Sequence, residues 1–105
     1  MGVATPQLTS SAPDIAVCVR IEGTGSFLTY DVVRYPQGGS IHVVAHRGEF
    51  EAGSIVFGSS PARIEDYDFD GTSAFTKSTI QWGQGQFFIT DTETSLPSAP
   101  ASEIC

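Results

Sequence analysis

Positive charge is scarce in this sequence: five lysines and arginines stand against twelve aspartates and glutamates, for a formal net charge of −7. Arg20, Arg34, Arg47, Arg63 and Lys77 are scattered singly along the chain. Phosphate backbones and anionic lipid surfaces attract clustered cations, so neither nucleic acid nor a membrane is an expected partner. Long apolar runs are missing too. No stretch approaches the roughly 20 residues that span a bilayer, and Met1-Gly2-Val3-Ala4-Thr5-Pro6 lacks the basic and apolar regions of a signal peptide, so the sequence is read as a mature form. Met1-Gly2 opens a myristoylation pattern, but Pro6 stands where serine or threonine is expected.

The parts that catalysis needs are equally thin. The only histidines, His42 and His46, lie on one inferred strand, where a four-residue spacing separates them by about 13 Å and prevents them from sharing a metal ion. No serine sits in a Gly-x-Ser-x-Gly elbow, Gly23-Thr24-Gly25 has no third glycine at dinucleotide-binding spacing, and no Gly-Lys-Ser/Thr follows it. No motif pairs Cys18 with a histidine as an activated nucleophile. We therefore expect no enzymatic activity and no cofactor. One motif-like run remains, Asp66-x-Asp68-x-Asp70-Gly71, which matches the first half of a calcium loop, where alternating carboxylates converge on a hard cation. Its twelfth position, which should be a bidentate glutamate, is Lys77. The run reads as a solvated acidic loop, with calcium binding at Asp66, Asp68 and Asp70 as the weaker alternative. A third reading is an edge segment that tucks Tyr67 and Phe69 inward and holds its charges outward.

Enough apolar material is present for one core: 40% of the 105 residues are hydrophobic, including seven phenylalanines, three tyrosines and one tryptophan. Residues 1–14 and 94–105 are rich in small and polar residues without periodicity and read as flexible tails. Between them, Gly-rich turns separate short β-periodic segments. Residues 15–22 alternate, with Ile15, Val17, Val19 and Ile21 on one side; residues 26–35 form a second strand, ended by Pro36-Gln37-Gly38-Gly39. Residues 40–47, 49–57, 74–82 and 86–90 supply four more, with Gly53 marking a bend and residues 58–71 an irregular stretch. No window shows a helical stripe. The expected fold is all-β, a six-stranded antiparallel β-sandwich formed by residues 15–93.

The two cysteines, Cys18 and Cys105, are compatible with one bridge or with two free thiols. A bridge would close nearly the whole chain, a constraint worth on the order of 4–5 kcal/mol in the chain-entropy account.

The segments Val17-Cys-Val-Arg-Ile-Glu-Gly23, Asp31-Val-Val-Arg-Tyr35, Gly39-Ser-Ile-His-Val-Val-Ala45 and His46-Arg-Gly-Glu-Phe-Glu51 resemble the MAX effectors, the Magnaporthe avirulence and ToxB-like proteins secreted by plant-pathogenic fungi. The resemblance implies two three-stranded sheets and a disulfide starting at Cys18. Because the second cysteine here is Cys105, that disulfide would tie the C-terminal tail across the chain. Taking Cys18 in phase with Arg20 and Glu22 puts the bridge on the outer face of its sheet. The resemblance further implies a monomeric secreted protein, translocated in some cases into the host cytoplasm, that binds a host protein such as a heavy-metal-associated domain or an immune receptor to promote virulence. Strand addition along residues 26–35 would then use Asp31, Arg34 and Tyr35 as selecting contacts. The competing class is an extracellular ligand-binding domain, calcium-dependent or presenting Tyr30, Tyr35 or Trp82 to carbohydrate.

Overall fold

The computed structural model describes residues 1–6, 8, 14–23, 25–34 and 39–105. Eight strands form two antiparallel sheets, and the described residues contain no helix. The first sheet holds β1 (Gly2–Ala4), β2 (Ile15–Glu22), β3 (Ser26–Arg34) and β4 (His42–Glu51) in sequence order. The second holds β5 (Ser54–Ser59), β6 (Ala62–Phe69), β7 (Phe75–Gly83) and β8 (Gln86–Leu96), again in sequence order. Each sheet is a meander in which every strand pairs with the next, the arrangement that short connections favour. The expected all-β class and antiparallel pairing are present; six strands in two three-stranded sheets become eight in two sheets of four.

The two added strands have separate physical origins. Strand β1 pairs Gly2 with Cys18 and Val3 with Val17, so residues assigned by composition to a flexible tail satisfy the otherwise open edge of β2. Gly2 is needed there, since a Cβ would lie 2.8 Å from the Cys105 nitrogen and 3.0 Å from the Cys18 sulfur. Strand β6 lies within the stretch read as an irregular loop and is paired on both sides, to β5 and to β7. Its acidic composition disfavours a strand locally, but two paired neighbours and a cationic partner from the facing sheet override that preference. Strand β8 likewise runs on to Leu96 rather than ending near Thr90.

The chain changes sheets once, at Ala52-Gly53. Glu49 and Ala52 both adopt positive φ, and a Cβ on Gly53 would lie 2.5 Å from that of Phe50. The bend expected at Gly53 is therefore the corner between the two sheets. Ala16, Cys18, Leu28, Tyr30, Val32 and Phe50 face inward from the first sheet, opposite Ile55, Ile64 and Ile80 from the second.

Cys18 and Cys105 are bonded, with Cα atoms 6.2 Å apart across a separation of 87 positions. The bridge starts from the inner face of its sheet, not the outer one: Cys18 is fully buried in the core cluster, while Cys105 at the other end is exposed. Residues 102–105 run back along β5, where the Glu103 amide donates to the Ile55 carbonyl (2.8 Å) and the Ile55 amide donates to the Ser102 hydroxyl (3.0 Å). Arg20 secures the same segment, donating to the Cys105 carbonyl (3.0 Å) and the Gly53 carbonyl (2.7 Å). The strap thus joins β2 of one sheet to β5 of the other. Replacing both cysteines by serine is expected to lower stability in urea titrations by about 3 kcal/mol; a loss below about 1 kcal/mol would show that the strap holds without the bond.

Candidate functional site

A sheet strand has two faces, and residues directly opposite on paired strands share a face. The β2–β3 register pairs Cys18 with Tyr30 and Ala16 with Val32, so burial of Tyr30 and Val32 carries Ala16 and Cys18 inward. The opposite phase, Ile15, Val17, Val19 and Ile21, is left on the outer face. Val19 is 43% exposed and Ile21 66%. Strand β1 adds Val3, β3 adds Phe27 and β4 adds Val43 to the same exterior, all more than two-fifths exposed. Ile21 and Phe27 are paired across β2 and β3 and line an open groove of about 330 Å³ together with Thr29 and Glu49. A second, shallower depression continues over Glu22, Gly23 and Gly25. The groove floor can form because Gly48 lets the Thr29 side chain lie on β4: a Cβ there would sit 2.8 Å from the Thr29 hydroxyl.

The outer face of the second sheet has a different character. Arg63 donates to Glu65 (2.7 Å), Tyr67 donates to Glu65 (3.3 Å), and Lys77 stands 3.9 Å from the same carboxylate. Burial pushes the Glu65 carboxyl up, but the Arg63 hydrogen bond and the charges of Lys77 and Arg63 outweigh it and hold the group below its ordinary range. Burial, with the charge of Glu65 next, raises the Tyr67 phenol. The second sheet's exterior therefore carries an internally paired ionic cluster, whereas the first gathers the exposed Val19, Ile21 and Phe27.

Between the sheets lies a polar lock. Asp66 projects inward from β6 and is almost fully buried. Tyr30 donates to its Oδ2 at 2.6 Å, and Arg47 donates through Nε to Oδ2 (3.0 Å) and through Nη2 to Oδ1 (3.1 Å). This two-pronged pairing is among the stronger hydrogen-bond geometries. The Arg47 guanidinium also lies 5.3 Å from the Phe50 ring centroid, and Phe50 stacks on Tyr30 at 6.2 Å. Burial first, then the Asp66 charge, drives the Tyr30 phenol far above its ordinary value, while the Asp66 hydrogen bond raises Arg47.

Several sequence expectations change at these positions. Asp66, Asp68 and Asp70 do not converge: Asp66 is held by Tyr30 and Arg47, Asp68 accepts from the Glu51 amide (2.9 Å), and Asp70 accepts from the Thr72 amide (2.8 Å) and hydroxyl (2.7 Å). Those Thr72 bonds hold the exposed Asp70 carboxyl below its ordinary range. No group of three metal-ligating side chains occurs among the described residues. The edge-segment reading of this run is also reversed, since β6 is internal and turns Asp66 inward.

The strand-addition surface changes as well. Strand β3 is flanked by β2 and β4, so its backbone groups are already paired and it is not an edge. Asp31 is on the outer face, bonded to His46. Arg34 is turned to the buried Asp14 (3.2 Å), with its guanidinium 4.2 Å from the Trp82 ring centroid. Tyr35 lies outside the described residues. The aromatic platform is not formed by Tyr30, which is buried, or by Trp82, which packs edge-on against Phe87 at 5.0 Å beneath Arg34.

In the sequence Val19 and Ile21 read only as one apolar phase of a strand, and Phe27 and Glu49 carry no motif that marks them as site residues. The available signal is the small-residue phase Ala16-x-Cys18, which stands opposite Val32 and the large Tyr30 of the neighbouring strand.

No protein-family model matches the chain, and no curated protein or solved structure matches it.

Two measurements test the lock. Asp66→Ala leaves Arg47 and Tyr30 facing an empty position and is expected to cost about 3–5 kcal/mol; a cost near that of a surface substitution would remove the lock from the account. Alkaline titration supplies the second. The unfolded chain releases the Tyr30 proton near the ordinary phenol value of about 10, whereas the fold retains it, so stability is expected to fall as pH rises above about 10. Tyr30→Phe should flatten that part of the slope. Ionisation of Tyr30 near pH 10 in still-folded protein, followed by ultraviolet difference absorbance, would contradict the assignment.

Proposed function

We propose that this chain is a protein-binding module, suited by its disulfide to an oxidising compartment outside the cell, and that its contact surface is the outer face of the first sheet. The observation that carries the reading is the exposure of Val19, Ile21 and Phe27 in adjoining positions on that face. Large branched and aromatic side chains gathered on one exterior sheet face are characteristic of interaction surfaces. We assign the module no catalytic step. A secreted effector that engages a host protein, and through it an immune receptor, is the particular form suggested by the resemblance at residues 15–57. The two four-stranded meanders depart from the three-stranded sheets of that family, so support for binding comes from the surface more than from the family.

Capture from plant extract, with purified heavy-metal-associated domains as defined targets, tests this form. The native protein is expected to retain a partner that an Ile21→Ser/Phe27→Ser double variant loses by at least about tenfold, as removal of a central apolar anchor commonly does. Thermal melting of the variant should stay close to that of the native protein, because both positions are exposed. Equal capture by the two forms would reject the face as the contact surface.

A further inference from the structure

The cations and anions of this chain are divided unequally between partnered positions in the fold and the groove. All five lysines and arginines have partners within the fold: Arg20 at the Cys105 and Gly53 carbonyls, Arg34 at Asp14, Arg47 at Asp66, and Arg63 and Lys77 at Glu65. Around the Ile21–Phe27 groove the charges are of one sign. Glu49 lines it, Glu22 borders its shallower extension, and Glu51 stands directly across from Phe27 in the β3–β4 register. All three are exposed, and none forms an ion pair among the described residues.

From this division we infer that the occupant of the groove is a cationic polypeptide segment, one that places an apolar side chain between Ile21 and Phe27 and flanks it with lysine or arginine. The inference rests on the outer face being the contact surface and adds the chemistry of what it contacts. An apolar side chain in the groove removes Ile21 and Phe27 from water, and the flanking cations meet carboxylates that the chain leaves without partners. Complementary charges at the rim of an apolar contact act mainly on selectivity and association rate. A second copy of this chain is disfavoured by the same arrangement. Two-fold pairing through one patch opposes each acidic rim to its own kind, and the chain has no spare lysine or arginine to relieve it.

Three short peptides provide the probe, identical except that a central phenylalanine is flanked by lysine, by glutamine or by glutamate. Nitrogen–proton correlation spectra of the folded protein are expected to show the lysine peptide shifting the amides of Ile21, Phe27, Thr29 and Glu49. It should bind about tenfold more tightly than the glutamine peptide, the combined effect of several exposed ion pairs, and lose that advantage at high salt. Replacement of Glu22, Glu49 and Glu51 by glutamine should erase the lysine preference without moving the melting temperature, whereas Ile21→Ser should weaken both the lysine and the glutamine peptides. Equal affinity of all three peptides at this groove would overturn the cationic preference and leave the face as the contact surface. Shifts located elsewhere, or none with any peptide, would overturn both. Self-association through Ile21 and Phe27 in sedimentation experiments would reassign the groove to a second copy and overturn the proposal.

Discussion

The inward face of β3 is the constraint on which the remaining structure depends. Leu28, Tyr30 and Val32 are buried together, and burial of the Tyr30 hydroxyl is satisfied by the hydrogen bond it donates to Asp66. Asp66 in turn can be buried only because Arg47 reaches across from the first sheet. With Tyr30 inside, register places Cys18 inside beside it. The disulfide to Cys105 is then a staple anchored in the core at Cys18 that draws the C-terminal strap over β5. Burial of one tyrosine, its charged partners, the bridge and the strap are successive parts of one arrangement.

A cost accompanies it. Hydrophobicity summed along β2 alone would place Ile15, Val17, Val19 and Ile21 in the core, since a fully buried branched side chain is worth roughly 1.5–3 kcal/mol. The fold forgoes much of that gain at Val19 and Ile21. The larger residues of β3, together with the lock and the bridge, outweigh the preference of β2, leaving an apolar exterior that solubility alone would not favour. The net charge of −7 opposes self-association through such a surface.

Much of the fold was legible in the sequence, and the failures share one cause. Alternation locates β2 and β3, the short break between residues 74–82 and 86–90 locates the β7–β8 hairpin, and the even cysteine count allows the bridge that forms. Alternation defines two faces without saying which is inside. That choice depends on the partner strand, so Cys18 was assigned outward and the apolar phase of β2 inward. Strand β6 was missed because Asp66, Asp68 and Asp70 look solvated when considered alone; the arginine that neutralises Asp66 lies nineteen positions upstream on the other sheet. Asp31 and Arg34 enter as selecting contacts only through the resemblance, which makes residues 26–35 an edge; the pairing of β3 with β4 closes that edge, and Arg34 is bonded to Asp14. The groove became visible only after strand phase and register were known, since neither Ile21 nor Phe27 carries a motif.

The most direct test is hydroxyl-radical footprinting of the free protein, read residue by residue along β2 and β3. Ile21 and Phe27 should oxidise readily while Leu28 and Tyr30, their neighbours in sequence but on the opposite face, stay protected until the protein unfolds. Protection of Ile21 and Phe27 with oxidation of Leu28 and Tyr30 would invert the phase of both strands and contradict the account at its base.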